Sequence, residues 1–112
     1  MSKLSDVAIS GKSGKKYSFE VYQIDASFKS YIPAVYIATR RYKKSNGDIN
    51  HEIIYVGQTG DLKERHTNHH KADCFTKENA NCLCIIQVKN ESERLEIERD
   101  IIDKYNPPCN SR

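Results

Sequence analysis

The 112-residue chain contains no apolar run long enough to cross a bilayer, no C-x-x-C pair, and no repeat, linker or low-complexity tract. Each absence removes a class of protein. A spanning helix needs about 20 consecutive apolar residues. The N-terminus, Met1-Ser2-Lys3-Leu4-Ser5-Asp6, also lacks the shorter apolar stretch of a secretory leader, so a cytoplasmic protein without membrane association is expected. The length predicts a single domain over residues 1–112, with room for a modest core but not for a catalytic module beside an independent recognition module. The four cysteines, Cys74, Cys82, Cys84 and Cys109, lack the spacing of a common zinc motif. In an intracellular chain they are expected as reduced, buried thiols, with a zinc site of Cys82, Cys84 and either Cys74 or His70 as the minor alternative.

Charge is abundant and unevenly spread. Residues 1–89 hold 14 Lys and Arg against 9 Asp and Glu, a net +5, while residues 90–112 hold 4 against 6, a net −2. The basic excess gathers at Lys12/Lys15/Lys16 and at Arg40/Arg41/Lys43/Lys44. A polyanionic partner fits this distribution, and so does plain solubilising surface charge.

Along the chain, Val7-Ala8-Ile9 and the run Tyr17 to Ile24 read as two strands joined at the glycines of Gly11-Lys12-Ser13-Gly14. Strands are predicted over about 35–41 and 52–57, paired as a hairpin with a polar loop between them in which Asn46-Gly47 favours a turn. Asp61 and Glu64 form a capping box for a helix predicted over 61–71, on which Leu62, Arg65, His66, His69 and Ala72 would share a face. A short helix near 73–80, a buried strand over 82–88 and a helix over 91–104 follow, the last capped by Asn90 with Glu93 and ended by Pro107-Pro108. On that last helix Ile97, Ile101, Ile102, Leu95 and Tyr105 make an apolar face, and Glu98 falls in its middle. A carboxylate there requires either a cationic neighbour such as Arg94, four residues earlier, or a metal ion.

In order and spacing, these parts resemble the GIY-YIG nuclease family over residues 33–110. Tyr36, after Ala34-Val35 in place of Gly-Ile, stands at the tyrosine of the first motif, and Tyr55-Val56-Gly57 is close to the second. Arg65 lies ten residues beyond Tyr55 at the family's helix arginine, and His69 four further on. Glu98 matches the metal-binding glutamate, and Asn110, twelve residues later, the asparagine that follows a proline turn. The stretch between the two tyrosines is longer than in short members, which makes the loop from Arg40 to Asn50 an insertion. Gln58 takes a position that is lysine in the related excision-repair domain. Residues 1–32, the N-terminal hairpin, lie outside the resemblance.

The resemblance implies an α+β fold, with a central three-stranded antiparallel sheet flanked by helices and an added N-terminal β-hairpin. It also implies a metal-dependent endonuclease that cuts DNA, branched or otherwise structured, by a one-metal, tyrosine-assisted in-line mechanism. The catalytic set carried over is Tyr36, Tyr55, Arg65, His69, Glu98 and Asn110, with Glu98 holding Mg²⁺ or Mn²⁺. Nucleic-acid contacts fall to Arg40, Arg41, Lys43, Lys44, Gln58 and Lys63, and specificity to DNA shape, a homodimer or a partner protein. The chemistry suits these residue types: one carboxylate leaves a hard cation open to phosphate and water, arginine offers a forked charged donor, and a tyrosine or His69 can take the proton of the attacking water.

The bland readings stand beside these. Tyr36 and Tyr55 can be ordinary strand tyrosines, Arg65 a surface partner of Asp61, Glu98 a partner of Arg94, and Asn110 a turn cap. His66 and His70 read as solvent-facing or helix-supporting, and His51 as a loop residue without a role. A catalytically silent domain of the same fold that binds nucleic acid or a protein is the alternative function.

Overall fold

The computed structural model describes residues 3–67 and 69–110. Eight elements are described: strands β1 (Ser5–Ser10), β2 (Lys16–Gln23), β3 (Ala34–Lys43), β4 (Ile49–Thr59), helices α1 (Leu62–Thr67) and α2 (Ala72–Lys77), strand β5 (Cys82–Gln87) and helix α3 (Glu91–Tyr105). The strands form one antiparallel sheet in the order β1-β2-β5-β3-β4. The expected three strands, β5, β3 and β4, are neighbours at one side of it. The N-terminal hairpin lengthens that trio into five strands, because β2 pairs with β5 from Glu20↔Ile85 to Gln23↔Cys82.

Each face of the sheet buries its own cluster. Phe19, Val21, Val35, Ile37 and Cys84 lie on the face that packs against Ile101, Ile97 and Ile102 of α3. Tyr36, Ala38, Tyr55, Leu83 and Ile85 lie on the other, beneath Leu62 of α1, Phe75 of α2 and Cys109. Between β3 and β4 the register slips after Ala38↔Tyr55, so that Thr39 meets Ile53 and Ile54 has no opposite number. This bulge lets Ile54 and Tyr55, adjacent in sequence, both enter the second cluster with Tyr36.

Several boundaries depart from the sequence reading for identifiable reasons. The helix predicted over 61–71 stops at Thr67, and His69 stands between two short helices. There the His69 carbonyl accepts from the Ala72 N–H at 3.2 Å and its Nδ1 from the Lys71 N–H at 3.0 Å, a turn that a continuous helix cannot contain. Asn68 lies outside the described residues. The 40–50 stretch is mostly strand: pairing continues through Tyr42↔Asn50 to Lys43↔Ile49, reinforced by Asn50 Nδ2 donating to the Tyr42 hydroxyl at 2.7 Å. His51 is therefore a strand residue, bonded through Nδ1 to Thr39 Oγ1 at 2.8 Å.

Helix α3 begins as read, with Asn90 Oδ1 accepting from the Glu93 N–H at 3.1 Å, and ends at Asn106 in a left-handed conformation. Ile97, Ile101 and Ile102 face the core as expected, but two members of the predicted face do not. Leu95 and Tyr105 are exposed, and Arg94 is buried in their stead. The polar side of α3 also has a task, since Asp100 accepts from Ser13 N, Ser13 Oγ and Tyr17 Oη, which docks the β1–β2 turn onto the helix.

The cysteine expectation fails for half of the set. Cys74 and Cys109 form a disulfide with Cα atoms 5.9 Å apart, joining α2 to the C-terminal turn, while Cys82 and Cys84 are free and buried. A sequence separation of 35 gave no hint that these ends meet. The bond removes Cys74 from any zinc site, and among the described residues no group of three or more potential ligands gathers. No described helix is long and apolar enough to cross a membrane.

Candidate active site

The second face of the sheet holds an aromatic cage around His69. Tyr36 and Tyr55 project from adjacent strands with ring centroids 6.1 Å apart. The His69 ring stands edge-on to both, at 5.5 Å from Tyr36 and 5.2 Å from Tyr55, with Phe75 at 4.8 Å closing the back. Gly57 makes this arrangement possible. A Cβ at that position would lie 2.6 Å from the Cζ and Oη of Tyr36 and 2.8 Å from the Cε2 of Tyr55.

The hydrogen bonds fix the tautomer of His69. Its Nδ1 accepts the Lys71 N–H, so in the neutral ring the proton sits on Nε2, which lies 2.7 Å from the Tyr36 hydroxyl and donates to it. The ring is neutral because burial, followed by the charges of His70, Arg65, His66 and Lys71, pulls its pKa down to about 4. Tyr36 is pushed well above the ordinary tyrosine range, chiefly by burial and then by Tyr55, with Arg65 acting in the opposite sense. Tyr55 is also raised by burial, but the Tyr36 hydroxyl favours its ionised form by hydrogen bonding. Within this trio the hydrogen bond between side chains is the one from His69 to Tyr36, at 2.7 Å.

Two charged groups reach this cage from different elements. Arg65, on α1, lies close enough to bear on both tyrosines and on Glu98. Glu98, on α3, is half-buried; burial raises its pKa, against the pull of Arg99 and Arg65, and its charge is felt at Tyr55. Among the described residues neither forms a salt bridge. The partnerships that would have explained them away are taken up otherwise. Asp61 Oδ1 accepts from the Tyr31 and Glu64 amides, and Arg94 donates to Gln58 Oε1 and the carbonyls of Val88 and Lys89. A half-buried carboxylate with no hydrogen-bonded partner fits a hard divalent cation whose other positions stay with water and phosphate oxygens.

Of the remaining predicted residues, Asn110 spends its side chain on the backbone of Val56, with bonds of 2.8 and 2.9 Å, one residue beyond Tyr55. Lys63 is exposed on α1. The four basic residues near 40–44 do not form one face: Arg40, Arg41 and Lys43 are on β3, whose neighbours alternate sides. Arg40 is engaged by Glu52 at 3.0 Å and lies over Tyr42, and along the strand it is about 13 Å from Tyr36 at roughly 3.3 Å per residue. His66 supports the fold, its Nε2 donating to the Ile24 carbonyl at 2.7 Å, and His70 stacks on His69. Sequence reasoning named Gly57 only as part of the second motif and missed Phe75 and the Lys71 amide as the setting of the cage; a glycine inside a strand was the signal available for Gly57.

Over 64 residues the chain is 42% identical to the UvrABC system protein C of Fervidobacterium nodosum, covering 54% of this chain and 11% of that protein. No solved structure matches the chain. The family model of the GIY-YIG catalytic domain matches residues 33–111, a span that holds both tyrosines, the arginine, the histidine and the glutamate, and the chain belongs to that family.

Proposed function

We propose that this chain is a nuclease that hydrolyses DNA phosphodiester bonds with a divalent ion held at Glu98. The observation that supports the reading is the cage of Tyr36, Tyr55 and His69, on which Arg65 and Glu98 act by charge, neither of them ion-paired among the described residues. Membership of a catalytic-domain family supports nuclease activity in general. That relative is roughly ninefold longer than the matched span, so its whole activity is not carried over.

In this reading Arg65 holds the non-bridging oxygens of the phosphate through its charged fork. Tyr55 accepts the proton of the attacking water. Tyr55 acts from its ionised form: Tyr36 donates to the Tyr55 phenolate and His69 in turn to Tyr36, so that charge is stabilised before Tyr55 takes the water's proton and becomes a neutral phenol. Glu98 supplies the carboxylate ligand, and Mg²⁺ or Mn²⁺ bound there would stabilise charge on the phosphate and on the leaving 3′ oxygen. His69 is the weaker base, since its one basic nitrogen is occupied by the Lys71 amide. Asn110 acts by holding β4 in place.

The test is incubation with supercoiled, single-stranded and branched DNA in Mg²⁺, Mn²⁺ or EDTA, for the natural protein and for Glu98→Gln. Cleavage that needs the divalent ion and disappears in the variant is expected. No cleavage of any substrate in either metal, or equal cleavage by Glu98→Gln, would overturn the proposal.

A further inference from the structure

Arg94 is a buried guanidinium with no anion among the described residues to neutralise it. Only 6% of the residue is exposed, yet no carboxylate among the described residues pairs with it. Nε donates to Gln58 Oε1 at 2.9 Å, and Nη1 to the carbonyls of Val88 and Lys89 at 3.0 and 2.9 Å. These acceptors are all neutral. Nη2 donates to none of the described residues and is not enclosed, for it lies beside the β4–α1 turn at Gly60, where an added Cβ would stand 3.9 Å from it. Three bonds therefore aim the fork and leave one charged nitrogen directed at an exposed, side-chain-free piece of backbone. Removing a full charge from water with only dipoles as partners is costly, and an arrangement of this kind is satisfied by a ligand that brings the anion.

We infer that Arg94, together with the amide nitrogen of Gln58, is a second phosphate-binding position, which takes a phosphodiester of the substrate strand next to the one that is cut. The inference rests on the DNA-hydrolysis reading above. Arg94 and Glu98 are four residues apart on α3, which sets their Cβ atoms about 6 Å apart on one side of the helix. That spacing suits neighbouring phosphates rather than one phosphate held twice. Gln58 joins the site because its Oε1 is already engaged by Arg94, which turns the amide of this end of β4 into a donor.

The experiment measures binding of the full chain to short single-stranded and duplex DNA in EDTA across a range of salt concentrations, for the natural protein and Arg94→Gln. Loss of one phosphate contact should flatten the slope of log affinity against log salt by about 0.7 on single strands or about 0.9 on duplex. A structural role alone would lower the melting temperature and leave that slope unmoved. In parallel, single neutral methylphosphonate linkages are scanned along the DNA. One position beside the cut should weaken binding to the natural protein by about tenfold and make no difference to Arg94→Gln. An unchanged slope with an unchanged methylphosphonate penalty in the variant overturns the inference. If Arg94→Gln fails to fold by circular dichroism, the scan on the natural protein decides, and indifference to every flanking linkage overturns it. A natural protein that neither binds nor cuts DNA removes the hydrolysis reading as well; one that binds and cuts while Arg94→Gln behaves identically removes this position alone.

Discussion

Asn110 holds Val56 by both of its backbone groups: Oδ1 accepts from the Val56 N–H at 2.8 Å, and Nδ2 donates to the Val56 carbonyl at 2.9 Å. Strand β4 is at the edge of the sheet, and the Cys109 amide bonds the Ile54 carbonyl two residues earlier at 3.0 Å. The C-terminal turn thus stands in for a missing neighbouring strand on either side of Tyr55. Asn110→Ala should lower stability by about 1–3 kcal/mol, or several degrees in melting temperature, and reduce DNA cleavage further than the folded fraction explains. Asn110→Asp keeps the acceptor but sets an anion against the Val56 carbonyl, and should do no better. A melting temperature equal to that of the natural protein would show that these bonds contribute nothing in solution.

The Cys74–Cys109 bond ties α2 to that same turn. Closing a loop with a sequence separation of 35 is worth about 3–4 kcal/mol in the chain-entropy account. Reductant, or Cys74→Ser, should therefore lower the melting temperature. Thiol titration in denaturant should find two reactive groups, Cys82 and Cys84, before reduction and four after it. Four before reduction, in protein purified without reductant, would mean that the bond does not form.

What could be read from the chain was what local pattern and motif spacing encode. The β5 segment followed from its apolar content, α3 from its apolar periodicity, and the Asn90 cap from its side chain. Motif spacing singled out Tyr36, Tyr55, Arg65, His69 and Glu98 as candidates, and of these Tyr36, Tyr55 and His69 pack together. Long-range closures stayed hidden. Periodicity could not show that Cys74 meets Cys109, that His69 breaks the helix through its own ring nitrogen, or that Arg94 rather than Leu95 turns inward. In each case a polar or covalent partner distant in sequence outweighed the local preference.

Gly57 gives a steric test of the cage. An alanine Cβ would stand 2.6 Å from the Tyr36 hydroxyl and 2.8 Å from the Tyr55 ring, and both are boxed in by His69. One of the rings must move. Gly57→Ala should cost about 1–3 kcal/mol through overpacking, and a displacement near 1 Å in the reacting groups should slow cleavage by about 10²-fold. Near-wild-type cleavage, with unchanged near-ultraviolet dichroism, would show that the site does not need this ring position.

The pH dependence separates the two candidate bases. His69 titrates near 6.5 when unfolded but is pulled to about 4 in the fold. Between those values the unfolded chain binds the extra proton. The contribution of His69 to stability is therefore intact above about pH 6.5 and is lost as pH falls towards 4. His69→Gln, which cannot titrate, should show a flatter loss of melting temperature across that window. For the reaction, a base with a pKa of about 4 would give a rate that stops rising above about pH 5, whereas a tyrosine base gives a rate that climbs through the neutral range. The climbing profile is expected. Tyr55→Phe should remove cleavage more completely than Tyr36→Phe, because in the proposed reaction Tyr55 takes the proton and Tyr36 only donates to it. His69→Gln, which keeps an N–H for Tyr36, should retain more rate than His69→Ala. A profile flat above pH 5 that is lost equally in His69→Gln and His69→Ala, with both phenylalanine variants active, would transfer the role of base to His69.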